Sequence, residues 1–452
     1  MPSQSYLKKN VSLAWPLALN GLLMQSMLMV DTLLVSPLGE IPLAAMGIAA
    51  TMVAFILGIQ MALANGSQLV LSRAVGSGNN SSVAKGFWSG LTINVLVALI
   101  FWLVLSFADD AIIGALTDNR LLQEQIKSYL AFSKYLVLFT AMTQVLIALF
   151  NSQGKSKIPL KGYLIEMPIN AVLSYFLIHG LSGMEGMGVE GAALGSLIAI
   201  TIRMAYLSAC LKSDTSLNLA IDSSASSLIQ NIRLHAIEIF PVAANVTILQ
   251  IGISVYQLLY SQLSINAYVA ITLVMPWLRS GTQFITAWAH SSAISVSQAI
   301  GSKKLDDLAK NVDKSIDIAV IMSVICAIAF AGLSFILPSI YPDLDAETYQ
   351  ALNLIAPLYI LLPIMRGYNT VHGHILRALG KTSAVFKINF IGQWLISIPL
   401  CALLILYFDA SIFWAFAIQP FEEIVKALPF RQLARQSLRE FDHKKADKLM
   451  YD

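Results

Sequence analysis

The sequence predicts an all-α integral membrane protein. About twelve transmembrane helices are expected, in two parallel six-helix lobes related by pseudo-two-fold symmetry. Three observations predict it: an excess of apolar residues, an alternation of loop charge, and an internal repeat. Hydrophobic residues make up 57% of 452 and charged residues 12%, and mean hydropathy is +0.70. A soluble domain carries about 25% charge and about half apolar residues, so one ordinary core could not absorb this excess and a bilayer can.

A span needs about 20 mostly apolar residues. Such runs lie near 11–36, 44–70, 88–108, 127–150, 160–180 and 188–211, then near 234–262, 267–297, 316–338, 349–376, 383–407 and 410–430. Lipid satisfies no free backbone group, so spans are helices or a closed barrel; long apolar runs without alternation select helices. The opening MPSQSYLKKN is short and basic, and the run after it meets no small-residue cleavage site, so the first helix is expected to remain.

The connections fall into two sets. One holds Lys8 and Lys9; Arg73 and Lys85; Lys155, Lys157 and Lys161; Lys212 and Arg233; Lys303, Lys304, Lys310 and Lys314; Arg377, Lys381 and Lys387; and the basic end from Arg431 to Lys448. The alternate set holds Glu40, Asp109, Asp110, Asp118, Glu185, Glu190, Asp343, Asp345, Glu347 and Asp409, with Arg120 as its main basic exception. By the positive-inside rule both termini are expected in the cytoplasm, in a multi-pass protein of the inner (plasma) membrane with an even number of spans. The stretch 212–233 reads as a cytoplasmic linker between an N-lobe, 1–211, and a C-lobe, 234–430; residues 431–452 read as a basic cytoplasmic tail.

The repeat appears when the chain is shifted by 225 residues. Pro16 then meets Pro241, Asn20 meets Asn245, Gln25 meets Gln250, Ser67 meets Ser292, Ser72 meets Ser297, and Gly76-Ser77 meets Gly301-Ser302. One extra residue later, QGKSKIPLKG at 153–162 faces LGKTSAVFKI at 379–388. Each half has an even number of spans, so the copies run in the same direction, as in secondary transporters with parallel repeats.

Several function classes have no support. Net charge is +3, too small for a nucleic-acid partner. Cys210, Cys326 and Cys401 are far apart in apolar runs, with neither a disulfide framework nor metal spacing. His372 and His374 in VHGHIL are two apart, a poor helical metal spacing, and read as loop or helix-end histidines; no phosphate loop or nucleophile elbow occurs. No metal and no cofactor are expected, and ATP is not the direct driver. An enzyme would need clustered catalytic residues at one membrane face, and a sensor an appended soluble domain; neither stands out.

The segment WPLALNGLLMQSMLMVDTLLVSPLGEIPLAAMG at 15–47 resembles the first-helix signature of the multidrug and toxic compound extrusion (MATE) family. ANGSQLVLSRAVGSGN at 64–79 resembles that family's second-helix exit, SSAISVSQAIGSKK at 291–304 is its degenerate copy, and QGKSKIPL resembles the loop between the fourth and fifth helices. The similarity covers essentially the whole chain, and the branch suggested is the DinF-like one. It implies a V-shaped transporter that extrudes organic cations and drugs against a proton or sodium gradient.

Ionisable residues inside spans mark function, because a charge at mid-bilayer costs at least about 2.5–3.5 kcal/mol. Asp31 lies in the first span with no other charge within four positions. Shielding from water favours the neutral form of a carboxyl, which equips Asp31 for proton coupling; the resemblance gives the aspartate of Val-Asp-Thr this role. Asn20, Met24 and Met27 share its helix face. On the fifth span Glu166, Asn170 and Ser174 share another. Asn170 matches a family asparagine, and Ser174 stands where the DinF-like branch often has a second aspartate. Glu166 is therefore a second coupling candidate, or pairs with a loop lysine. Asn65, Ser67 and Gln68 could complete the cavity, and Pro16 is the expected helix bend.

In the second half Asp31 aligns with Tyr256, and the positions nearest the acids of the NorM-like branch read Leu249-Gln250 and Gly380-Lys381. A proton gradient is therefore favoured over sodium. Arg279, Asp317 and Arg366 read as buried charges, with Arg366 and Asp317 as an interhelical pair. The function expected is efflux of amphipathic or cationic organic compounds by a chain acting as a monomer in the bilayer. The alternative is a flippase for a lipid or lipid-linked sugar, for which Arg203, Arg279 and Arg366 would bind phosphate.

Overall fold

The computed structural model describes residues 2–180, 185–220, 225–342 and 344–449. Asp343 of the acidic loop set, part of the linker (221–224) and the last three residues of the tail lie outside them. Among the described residues the protein is helical throughout, without strands.

Among the described residues, twelve long helical segments correspond one to one to the twelve expected spans. The first half has α1 (Pro2–Val35), α2 (Glu40–Ser77), α3 (Asn80–Phe107), the short α4 (Asp109–Leu116), α5 (Arg120–Ser152), α6 (Lys157–His179) and α7 (Val189–Lys212). The second has α8 (Ala225–Tyr260), α9 (Ile265–Gly301), α10 (Leu308–Ile340), α11 (Ala346–Ala378), α12 (Thr382–Phe390) and its continuation to Tyr407 through α13 (Ile398–Ala402), then α14 (Ile412–Arg439) and the short α15 (His443–Lys448). Among the described residues nine of these segments are long and apolar enough to cross a membrane on length and composition alone. The other three, α6, α9 and α14, are of spanning length but carry the polar groups described below.

Most helices outrun their apolar runs by a turn or more, because their polar ends still find partners beyond the hydrocarbon. Asn79 and Asn119 cap α3 and α5 by accepting from backbone N–H groups two and three residues on. Gly78 closes α2 at φ +72°, a left-handed value that suits glycine. α14 runs to Arg439, nine residues past the expected end of the last span. The helix from Thr382 widens into π turns at Ile391–Ser397 and Leu403–Tyr407, either side of Pro399, which lacks the N–H needed for a regular ladder.

The chain forms two compact units. One runs from Leu19 to Ala243; the other takes the residues up to Ala18 and those from Ala244 onward. Both divisions fall two residues after a proline of the repeat, Pro16 or Pro241. α1 itself continues as one helix through Pro16.

The first unit packs around Ala45, Met46, Ala49, Val53, Tyr129, Val137 and Ala192 in one core and Leu71, Phe87, Phe150 and Leu207 in another. Arg73, expected in a loop, is instead buried in α2 and ion-paired with Glu238 of α8. The second unit packs around Tyr256, Tyr260, Leu278, Ile355, Tyr359 and Phe416. Large apolar side chains also stand on the outside, Phe335 at 83% exposure and Phe107 at 81% among them. On helices of this length such faces suit lipid.

Candidate functional site

Within the first unit α1, α2, α5, α6 and α7 enclose a cavity of about 360 Å³. Met24, Met27, Val53, Leu57 and Met61 give it an apolar wall, and Asp31, Glu166, Asn170, Ser196 and Arg203 a polar one.

Asp31 is 5% exposed. Its Oδ2 accepts a hydrogen bond from Ser196 Oγ at 3.0 Å, and Asn170 Nδ2 donates to the same hydroxyl at 3.0 Å. Ser174 Oγ in turn donates to Asn170 Oδ1 at 2.9 Å. The chain of donors runs from α6 through α7 to α1 and ends on the carboxylate. The second oxygen, Oδ1, has no hydrogen-bond partner among the described residues.

Ser196 reaches Asp31 because α6 and α7 touch closely. Gly191 and Gly195 are one turn apart on α7; a Cβ on Gly195 would lie 2.9 Å from the Ser174 backbone nitrogen, and one on Gly191 2.5 Å from the Leu177 carbonyl carbon. Small residues at i and i+4 let membrane helices approach in this way, and Ser196 follows directly.

Glu166 is not bonded to a loop lysine. Its Oε2 accepts from Arg203 Nη1 at 2.6 Å, with both side chains at most 6% exposed. The guanidinium also stacks over Tyr163, 4.2 Å from the ring centre, and donates to Thr143 Oγ1 at 3.4 Å. Glu166 and Arg203 cancel, so an ionised Asp31 is the uncompensated charge of the cavity. The same pairing occupies Arg203, one of the three arginines that phosphate binding would need.

Met24, Met27, Asp31, Glu166 and Asn170 line this cavity. Ser174 sits behind Asn170. Asn20, Asn65, Ser67 and Gln68 lie outside the lining: Ser67 Oγ bonds His235 Nε2 at 2.8 Å, Gln68 Oε1 accepts from Asn151 at 3.2 Å, Asn20 is buried and Asn65 half-buried. Ser196, Tyr129 and Gln144 are cavity residues that sequence reasoning missed. The sole sequence signal for Ser196 is the preceding glycine pair.

The second unit holds a second cavity, also about 360 Å³. The pairing of Arg366 with Asp317 is not present. Asp317 is exposed, as is Arg279, and Arg366 Nε instead meets Glu423 Oε1 at 3.3 Å, with Nη2 donating to Gln419 at 3.1 Å. Lys426 Nζ bonds Glu422 Oε1 at 2.8 Å and lies 3.6 Å from Glu423. Tyr256, the repeat partner of Asp31, donates to Glu422 Oε2 at 2.6 Å. This lobe therefore has buried carboxylates after all, supplied by α14 rather than by the copy of α1. Two glutamates and a lysine inside the twelfth apolar run were the available signal. His372 and His374 lie in the last two turns of α11, the helix-end alternative of the expectation; His372 Nδ1 contacts the Tyr368 carbonyl at 2.8 Å.

The MatE family model matches the chain twice, over residues 16–176 and 241–403. A probable multidrug resistance protein NorM of Agrobacterium fabrum is 28% identical over 149 residues, 32% of this chain and 31% of that protein. A probable multidrug resistance protein NorM of Streptococcus pneumoniae R6 is 22% identical over 365 residues, 77% and 76% of the two chains. The crystal structure of the Vibrio cholerae MATE transporter VcmN in its bent form superposes with a TM-score of 0.86 at 18% identity, covering 97% of this chain and 99% of that one.

Proposed function

Since the chain belongs to the MatE family, whose members are transporters and not enzymes, we propose that it is a multidrug efflux transporter exchanging protons for small amphipathic or cationic organic compounds, with Asp31 as the coupling group. One observation carries this reading: a buried carboxylate with a free oxygen borders an apolar cavity whose other charges cancel. NorM relatives named as multidrug resistance proteins support the substrate class.

Ionised, Asp31 attracts an organic cation whose apolar body lies against Met24, Met27 and Met61, side chains that adapt to many shapes. Protonated, it loses that attraction. A proton and a cation therefore compete for one oxygen, and exchange follows if the two forms of Asp31 favour differently shaped states of the lobe. Pro16 is the position in α1 where such a change costs least, because one backbone hydrogen bond is already missing. Glu166 enters this reading as the partner that neutralises Arg203. The membrane is read as the inner one, with both termini cytoplasmic from the loop charges. The chain works without a cofactor.

The test is transport of a fluorescent cation in proteoliposomes under separately imposed proton and sodium gradients. The reading expects a proton gradient to drive exchange, a sodium gradient alone to fail, and Asp31→Asn to abolish proton-driven transport. Native-rate exchange by Asp31→Asn would refute it.

A further inference from the structure

The cavity of the second unit differs in charge from that of the first. It is lined by four cationic side chains, Arg279, Arg366, Arg377 and Lys426, against two carboxylates, Glu422 and Glu423. Both carboxylates are already used: Lys426 bridges them and Arg366 holds Glu423. Arg279 and Arg377 have no ion-pair partner among the described residues, which leaves two uncompensated positive charges on the wall. The Nδ2 donor of Asn245, in a side chain 2% exposed on the same wall, has no acceptor among the described residues, while its Oδ1 accepts from Asn389 at 2.8 Å. A buried donor without a partner is unfavourable unless a ligand supplies the acceptor.

Two free guanidiniums and a free amide donor call for acceptor oxygens carrying negative charge, since planar guanidinium groups match carboxylate and phosphate geometry. The rest of the wall, with Val246, Leu249, Ile253 and Met275, suits an apolar body. We propose that this cavity binds an amphipathic organic anion, a carboxylate or phosphate on an apolar skeleton, attracted by the uncompensated charge of Arg279 and Arg377. The two halves of the repeat thus carry sites of opposite charge: the first takes a cation and the second an anion. The inference shares the fold with the transport reading but not its site, and it is tested without a gradient.

The experiment is equilibrium binding of dansylglycine, a naphthalene sulfonamide whose glycyl arm bears one carboxylate, to the full chain in phosphatidylcholine nanodiscs. Dansylamide, which lacks the carboxylate, is the comparison. Dansylglycine is expected to bind at least 10-fold more tightly than dansylamide. Arg279→Gln and Arg377→Gln are each expected to weaken it at least 3-fold, and the double variant at least 10-fold, with the variants melting within a few degrees of wild type. Competition by phosphatidylglycerol added to the disc assigns the site to a lipid headgroup, and its absence to a soluble anion; both support an anion site. Equal binding of the two probes, which requires no variant, overturns the proposal, as does unchanged binding by a folded double variant. Neither failure touches proton coupling at Asp31, which is read from transport.

Discussion

Four residues test the chemistry most closely. Breaking a buried ion pair from one side leaves a bare charge and costs about 3–5 kcal/mol, while replacing both members with apolar groups of similar size is often neutral. Arg203→Met is therefore expected to lower the melting temperature sharply in a detergent thermal-shift assay, and adding Glu166→Leu to restore most of it. Ser196→Ala removes the 3.0 Å hydrogen bond to Asp31 Oδ2; bonds to charged groups contribute roughly 1.5–3 kcal/mol, so the KM for an organic cation should rise about 10-fold with the fold intact. Asp214, beyond α7, supplies the pH test. Burial raises its carboxyl, but hydrogen bonds from Lys155 and Ser216 outweigh this and hold it below the ordinary aspartate range. A depressed carboxyl stabilises above its unfolded value, about 3.9, and loses that contribution as pH falls through the folded one. Asp214→Asn should speed proteolysis of the segment after Ser213 at pH 7, with the variant-to-wild-type ratio falling toward one in acid. Asp31 was legible in the sequence because it stands alone in an apolar run. Ser196 was not, since a helical hydroxyl is ordinary until its neighbour across the lobe is known. Glu166 was legible as a buried acid, but its partner, 37 positions away, was not.

At the scale of elements, twelve helices were legible because bilayer thickness fixes the length of an apolar run. Their ends were not, because capping and headgroup-depth partners extend them. The π turns around Pro399 and the close contact of α6 with α7 depend on backbone geometry that hydropathy does not encode, although the Gly191 and Gly195 spacing could have suggested the second. That contact makes a sharp prediction. A methyl at Gly195 would meet Ser174 Oγ at 2.5 Å and its backbone nitrogen at 2.9 Å. Gly195→Ala must therefore push α6 from α7, at a cost of about 1–3 kcal/mol, and draw Ser196 away from Asp31. Cation transport should fall several-fold more than with Ala193→Gly, a control on the same helix; equal effects would show that the glycine contact does not set the site.

At the scale of the molecule the repeat is written into contacts as well as residues. His235 bonds Ser67 at 2.8 Å, and the same 225-residue shift relates this pair to Asn10 and Ser292, which bond at 3.4 Å. The duplication was legible from identities alone, whereas the division of each unit just past Pro16 and Pro241 was not, since it depends on which neighbours each end of the helix meets. Loop charge makes the topological prediction: in a cysteine-free background, a cysteine at Lys304 should react only with reagent on the cytoplasmic side, and one at Ser264 only with reagent on the other. The central claim, that a proton and an organic cation compete for Asp31, is tested most directly by counting protons released when tetraphenylphosphonium binds the purified protein in weakly buffered solution. The account predicts release of up to about one proton per cation, varying with pH as Asp31 titrates, and none from Asp31→Asn. Tight binding without proton release at any pH in the wild-type protein would contradict it.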